Sequence, residues 1–183
     1  LGSLQVPILV FGAVNVAPAI PQSPFAPWPG GPFPKLLEMI RSERGEKFVL
    51  EKNGYVKNAL LGTTHHQENL TAAVLDAYLA PFPTPESRLA LLCWTRDIPV
   101  RPDDPSFATM KAIEEKLALF ADTPTLLIWG KQDPVLPPAV LQRWQQIYPK
   151  ATTHEIEDAS HFLQEDAPEP IVAWIAQFLN ANP

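Results

Sequence analysis

"PTLLIWGKQDP" (residues 124–134) is a short apolar run that ends in a glycine and an Asp-Pro turn. It reads as a buried strand running into a loop. "PAVLQRWQQIYP" (138–149) follows with helical apolar spacing. "ATTHEIED" (151–158) alternates as a strand does, and "EPIVAWIAQFLNAN" (169–182) is an amphipathic helix. Strand, loop, helix, strand, loop, helix is the pattern of parallel α/β units.

Working outward, "VPILVFGAV" (6–14) is a second buried strand, so residues 1–14 supply one core strand. Residues 15–34 are a Pro-rich connector, in which fixed φ angles and missing N–H groups exclude a regular helix or central strand. Residues 35–122 read as a helical insertion, and 123–183 as the remaining α/β core. Within the insertion, "KLLEMIRSERG" (35–45) stops at Gly45, and the next helix breaks near Asn53-Gly54. "NLTAAVLDAYLAPF" (69–82) has Asn69 or Thr71 as its cap and ends before Pro81. "TPESRLALLCWTRDIP" (84–99) has Thr84 as its cap and Pro85 at the first helical position. "SFATMKAIEEKLALFAD" (106–122) places Ile113, Leu117 and Phe120 on one face.

With 183 residues, 46% of them hydrophobic and 19% charged, the chain has a globular composition and enough length for one sizeable core. A net charge of −6 and the lack of a basic stretch argue against nucleic acid as a partner. No apolar run reaches transmembrane length, which argues against a membrane partner. The single cysteine, Cys93, excludes a disulfide within the chain, reads as a buried small hydrophobe and is compatible with the cytoplasm. The first residue is Leu1 rather than methionine, which points to a start inside a larger protein or to processing.

Two residues stand where ligands gather in parallel sheets, at the carboxyl ends of strands: Asp133 and His161. Singly, Asp133 before a proline reads as a turn former, and His161 as a packing or helix-start residue. Together, after successive strands, they favour an orienting pair. The acid would accept from one ring nitrogen and leave the other free to act as a base.

These residues carry a family resemblance. "TLLIWGKQDPVLP" (125–137) followed by "IEDASHFLQEDAPEPI" (156–171) resembles the last third of an α/β-hydrolase. "SHFLQED" resembles haloalkane dehalogenases in particular, and "AYLAPFPTPESRLALL" (77–92) resembles the cap of that family. The resemblance implies an α/β-hydrolase C-terminal part, parallel strands with flanking helices and an inserted helical cap. It implies a hydrolase of small apolar substrates that works through a covalent alkyl-enzyme ester, with no metal and no organic cofactor. His161 would be the base that activates water and Asp133 its acid partner. Epoxide hydrolysis and β-lactone decarboxylation share both residues and stand as alternatives.

The departure lies at the nucleophile. In the family it stands on an elbow before the strand matched by residues 6–14. Neither G-x-S-x-G nor a G-x-D elbow occurs in this sequence. The expectation is a chain inactive by itself, or a truncated hydrolase serving as a binding subunit. An open, apolar edge at residues 6–14 would favour self-association. For a halide, Trp28 is the candidate donor, against the better-supported reading that it packs within the connector. Leu36 stands near the position where the cap of the family can supply a second tryptophan. Trp94 reads as cap core, and Trp129, Trp144 and Trp174 as packing residues. His65-His66 reads as a solvated loop, with no third ligand at metal spacing. Asp103-Asp104 reads as a turn, Glu165-Asp166 as charges that suit the start of the last helix, and His154 as solvent-facing.

Overall fold

The computed structural model describes residues 8–11 and 32–182. Three strands form a parallel sheet in the order β1 (Ile8–Phe11), β2 (Thr125–Gly130), β3 (Thr152–Ile156). Ile8 is in register with Thr125, and Leu126 with Thr152. All six residues of β2 are buried, as expected of a central strand covered on both faces.

The pleat of β2 sends alternate side chains to opposite layers. Leu127 and Trp129 pack with Val140, Leu141 and Trp144 of α7 (Pro138–Ile147). Leu126 and Ile128 pack with Ile171 and Phe178 of α9 (Pro168–Ala181). One helix therefore covers each face, and the sheet is sandwiched. The Trp129 indole N–H donates to Leu136 O at 2.8 Å, which ties the loop after β2 to the core.

Between β1 and β2 run α1 (Pro32–Ile40), α2 (Glu43–Leu50), α3 (Gly54–Thr63), α4 (Ala72–Leu79), α5 (Leu89–Asp97) and α6 (Phe107–Lys116). Ile40, Val49 and Leu92 form their own small core. The insertion is also joined to the sheet, because Leu37 of α1 is fully buried in the cluster shared with β2 and α7. Buried Arg88 binds the inserted segments together by donating to the carbonyls of Leu50, Phe82 and Pro83.

Several expectations need correction. Gly45 lies inside α2 and ends no helix. A Cβ there would meet Met39 O at 2.2 Å and Ile40 Cα at 2.4 Å, so glycine permits the close turn of α2 against the end of α1. Cys93 is exposed, and Trp94 is 47% exposed rather than cap core. The inward positions of α5 are Leu92 and Thr95, and the helical period turns Cys93 and Trp94 away. The shared face expected for Ile113, Leu117 and Phe120 splits. The helix tightens to a 3₁₀ turn at Leu117–Phe120, Leu117 packs on the core, and the other two stay exposed. His154 is half-buried, stacked on Trp174 at 4.2 Å. Glu165 and Asp166 precede the last helix, in the one-turn helix α8 (Leu163–Asp166). The break at Asn53 is as read, with φ 47° between α2 and α3, and Thr71 is the cap of α4.

Candidate active site

The loop after β2 and the loop after β3 meet at Gly130. A Cβ at that position would lie 2.5 Å from Ser160 O and 2.6 Å from Ala159 O, so the approach of the two backbones requires glycine. Backbone bonds then lace the loops together, from Lys131 N to Ile156 O and from Gln132 N to Ala159 O, each 2.9 Å. Ser160 Oγ adds a bond to Gln132 O at 3.2 Å.

This lacing sets Asp133 against His161. Asp133 Oδ2 stands 2.9 Å from His161 Nδ1. The Asp133 side chain is 2% exposed and that of His161 is 17% exposed. Asp133 Oδ1 accepts from Val135 N at 2.7 Å and Leu136 N at 2.9 Å. The carboxylate is thereby oriented by its own turn, and its remaining oxygen is committed to the imidazole. An acceptor at Nδ1 places the proton there and leaves Nε2 as the basic nitrogen. Among the described residues nothing hydrogen-bonds to Nε2. The imidazole edge also contacts Phe162, with centroids 5.7 Å apart.

The backbone on either side of His161 is pinned to the inserted helices. Phe162 N donates to Thr63 O, the last residue of α3, at 3.2 Å. Ser160 N donates to Asp166 Oδ2 at 2.7 Å. The same carboxylate accepts from His65 N at 3.2 Å and His66 N at 2.7 Å. Next to it, Tyr78 of α4 donates to Glu165 Oε1 at 2.6 Å, and Asn69 Nδ2 donates to Glu165 O. Burial, with the hydrogen bond to Glu165 behind it, pushes the Tyr78 phenol above its usual pKa.

Asp133 and His161 are thus brought together as the sequence pattern anticipated. Trp28 lies outside the described residues. Asp166, Glu165, Tyr78 and the carbonyl of Thr63 were not anticipated in this role. The available signal was an acidic pair four and five residues after the histidine, which also fits a helix start. The His65-His66 pair is in a loop as expected, but its backbone amides face Asp166 and the His66 ring sits between Glu68 (3.1 Å) and Asp158 (3.4 Å). Asp104 of the expected turn accepts from Val100 N and Arg101 N and pairs with Arg41.

A sequence description of the α/β hydrolase fold matches residues 27–168. The chain belongs to that family. As an α/β hydrolase it is 31% identical over 157 residues to a cis-3-alkyl-4-alkyloxetan-2-one decarboxylase of Xanthomonas campestris pv. campestris, matching 85% of this chain and 51% of the relative. It is 27% identical to a haloalkane dehalogenase of Mesorhizobium japonicum over 81% of this chain and 50% of the relative. In three dimensions it resembles the crystal structure of the haloalkane dehalogenase DbeA from Bradyrhizobium elkani, with a TM-score of 0.69 and 27% identity, covering 81% of this chain and 52% of that one. The chain spans about half the length of the curated relatives it matches. No helix among the described residues is long and apolar enough to cross a membrane.

Proposed function

We propose that this chain supplies the base and orienting acid of a hydrolase that acts on small apolar substrates through a covalent alkyl-enzyme ester, in the manner of haloalkane dehalogenation. The observation that carries the reading is the 2.9 Å contact between His161 Nδ1 and a buried Asp133 whose other oxygen is already engaged by two backbone amides. In the first step a carboxylate displaces halide from an alkyl carbon, forming the ester and breaking the carbon–halogen bond. In the second, His161 Nε2 takes a proton from water as the water oxygen attacks the ester carbonyl. Asp133 stabilises the imidazolium, the proton passes to the departing alkoxide, and the carboxylate is regenerated. The balance is alkyl halide plus water to alcohol, halide and a proton. The inserted helices α1–α6 act as the cap over this chemistry, and neither metal nor organic cofactor is needed.

No nucleophile elbow occurs in the sequence, so the carboxylate comes from outside it and the chain by itself is inactive. Alone it self-associates through the edge of β1 away from β2, which no strand covers among the described residues. Sedimentation of the isolated chain as a monomer that melts sharply would contradict this.

The similarity to an oxetan-2-one decarboxylase over 85% of the chain favours a second reading, loss of carbon dioxide from a β-lactone to leave an alkene. The test uses the full-length polypeptide of the native source with a short bromoalkane and, separately, a cis-dialkyl oxetan-2-one. Halide and alcohol release supports the first reading; carbon dioxide and alkene release supports the second. In His161→Gln the first reading expects an alkyl adduct that persists on the protein by intact mass. Steady-state turnover equal to wild type in that variant would remove His161 from the mechanism.

A further inference from the structure

His161 sits in the stretch between β3 and the one-turn helix α8, and a single turn cannot hold a loop by itself. Beyond the lacing to the loop after β2, its two neighbours are tied to the insertion, at the end of α3 and in the loop that follows it. On one side Phe162 N reaches Thr63 O directly. On the other, Ser160 N reaches Asp166, which also gathers His65 N and His66 N from a segment a hundred residues earlier. One carboxylate therefore accepts three backbone N–H groups, two from the insertion and one from the peptide next to the base. Such bonds to an ionised acceptor are the stronger kind. Glu165 adds a parallel link to Tyr78 and Asn69.

We infer that Asp166 is a positioning residue that aligns His161 on Asp133 by clamping the histidine loop to the inserted helices, so that displacement of those helices and misalignment of the base are one event. The inference rests on reading His161 as the base. Its geometric core does not depend on the substrate. Loss of the clamp frees Ser160 N and leaves that side of His161 tied only to the loop after β2, through Ser160 Oγ to Gln132 O and Gln132 N to Ala159 O, with no tie to the insertion. Misplacement of a catalytic group by about 1 Å costs on the order of 100-fold in rate. The cost falls on the step that needs His161, hydrolysis of the ester, and leaves ester formation in place.

The test is Asp166→Asn in the full-length polypeptide. The amide keeps one acceptor oxygen and turns an NH₂ group toward the other N–H donors. With ¹⁵N-labelled histidine, the wild-type His161 Nδ1 proton gives a downfield resonance from its bond to Asp133. The expected result in the variant is a broadened resonance whose proton exchanges with water at least about tenfold faster, consistent with the loss of one charge-assisted bond. Rapid-mixing kinetics should show ester formation at the wild-type rate and ester hydrolysis slowed tenfold or more. A merely structural loss would lower both steps alike. An unchanged resonance overturns the inference whatever the substrate. A changed resonance, in a protein that turns over neither bromoalkane nor oxetanone, upholds the clamp and overturns only the proposed function. Should the variant not fold, hydrogen exchange of the wild-type protein decides. The amides of His65, His66 and Ser160 are expected to open together, and independent exchange of Ser160 overturns the clamp.

Discussion

A Cβ on Gly130 would lie 2.5 Å from the carbonyl oxygen of Ser160, the residue before the candidate base. The obstructing atoms are backbone, so no side-chain rotation relieves the clash. Gly130→Ala must push the two strand-end loops apart. The expected cost is about 1–3 kcal/mol of stability, or a melting temperature lower by roughly 2–4 °C per kcal/mol. The bonds from Lys131 N and Gln132 N to the neighbouring loop should lose hydrogen-exchange protection together. An unchanged melt would show that the loops separate without strain.

Asp133 separates charge from shape. In Asp133→Asn the side-chain oxygen still accepts from Val135 N and Leu136 N, so stability should fall by no more than about 1 kcal/mol. The amide nitrogen then faces His161 Nδ1 as a donor and forces the wrong tautomer. Turnover of the full-length polypeptide should drop by about 10³–10⁴. Asp133→Ala orphans both buried amides, at about 1–3 kcal/mol each. Equal stability losses in the two variants would sink this account.

The contrast between Asp133 and Asp166 shows what a sequence can carry. β2 and its loop are legible in a continuous apolar run that ends in Gly and Asp-Pro, whereas Asp133 by itself reads as a turn former and gains a role only beside His161. His161 was legible because it stands at the equivalent point one unit later. Asp166 was not, since its partners are backbone amides of His65 and His66, and any residue but proline offers the same donor. Gly130 reads in the sequence as part of the loop after the strand; it is the last residue of β2, and its need comes from a second loop that only the fold brings near. Cys93 and Trp94 were misread because an all-apolar helical stretch gives no inward direction. What decides it is the neighbour, here the packing of Leu92 with Ile40 and Val49.

Arg41 and Asp104 tie the end of α1 to the segment after α5. Arg41 Nη2 donates to Asp104 at 3.0 Å and to Ile98 O at 2.8 Å. Burial pushes the Asp104 carboxyl up, but the amides of Val100 and Arg101 and the Arg41 guanidinium outweigh it and hold the pKa below 3.8. A depressed folded-state pKa gives stability that is present above 3.8 and lost as pH falls through the lower folded value. Asp104→Ala should cost about 1.5–3 kcal/mol near neutrality. In urea unfolding between about pH 2 and pH 6, the gap between wild type and variant should close toward the acid end. A gap that stays constant with pH would mean that the carboxylate charge contributes nothing.

His66, beside the Asp166 clamp, offers the opposite sign. Its ring lies between Glu68 and Asp158, with the His65 ring edge-on at 4.9 Å and Asp166 on its own backbone amide. The hydrogen bond that the ring donates to Glu68 leads in raising its pKa above 6.5, against the opposing effect of desolvation and with help from Asp158. A raised folded-state pKa gives stability that is complete below 6.5 and lost as pH climbs through the higher folded value. The carboxylates are largely exposed, so the effect is small and screened by salt. It should appear locally, as protection factors at the His65 and His66 amides that decline above pH 6.5 in wild type and stay level in His66→Gln. Raising the salt to about 1 M should erase the difference between the two proteins. If the wild-type decline persists in His66→Gln, the ring is not its source, and another group at the clamp titrates in that range.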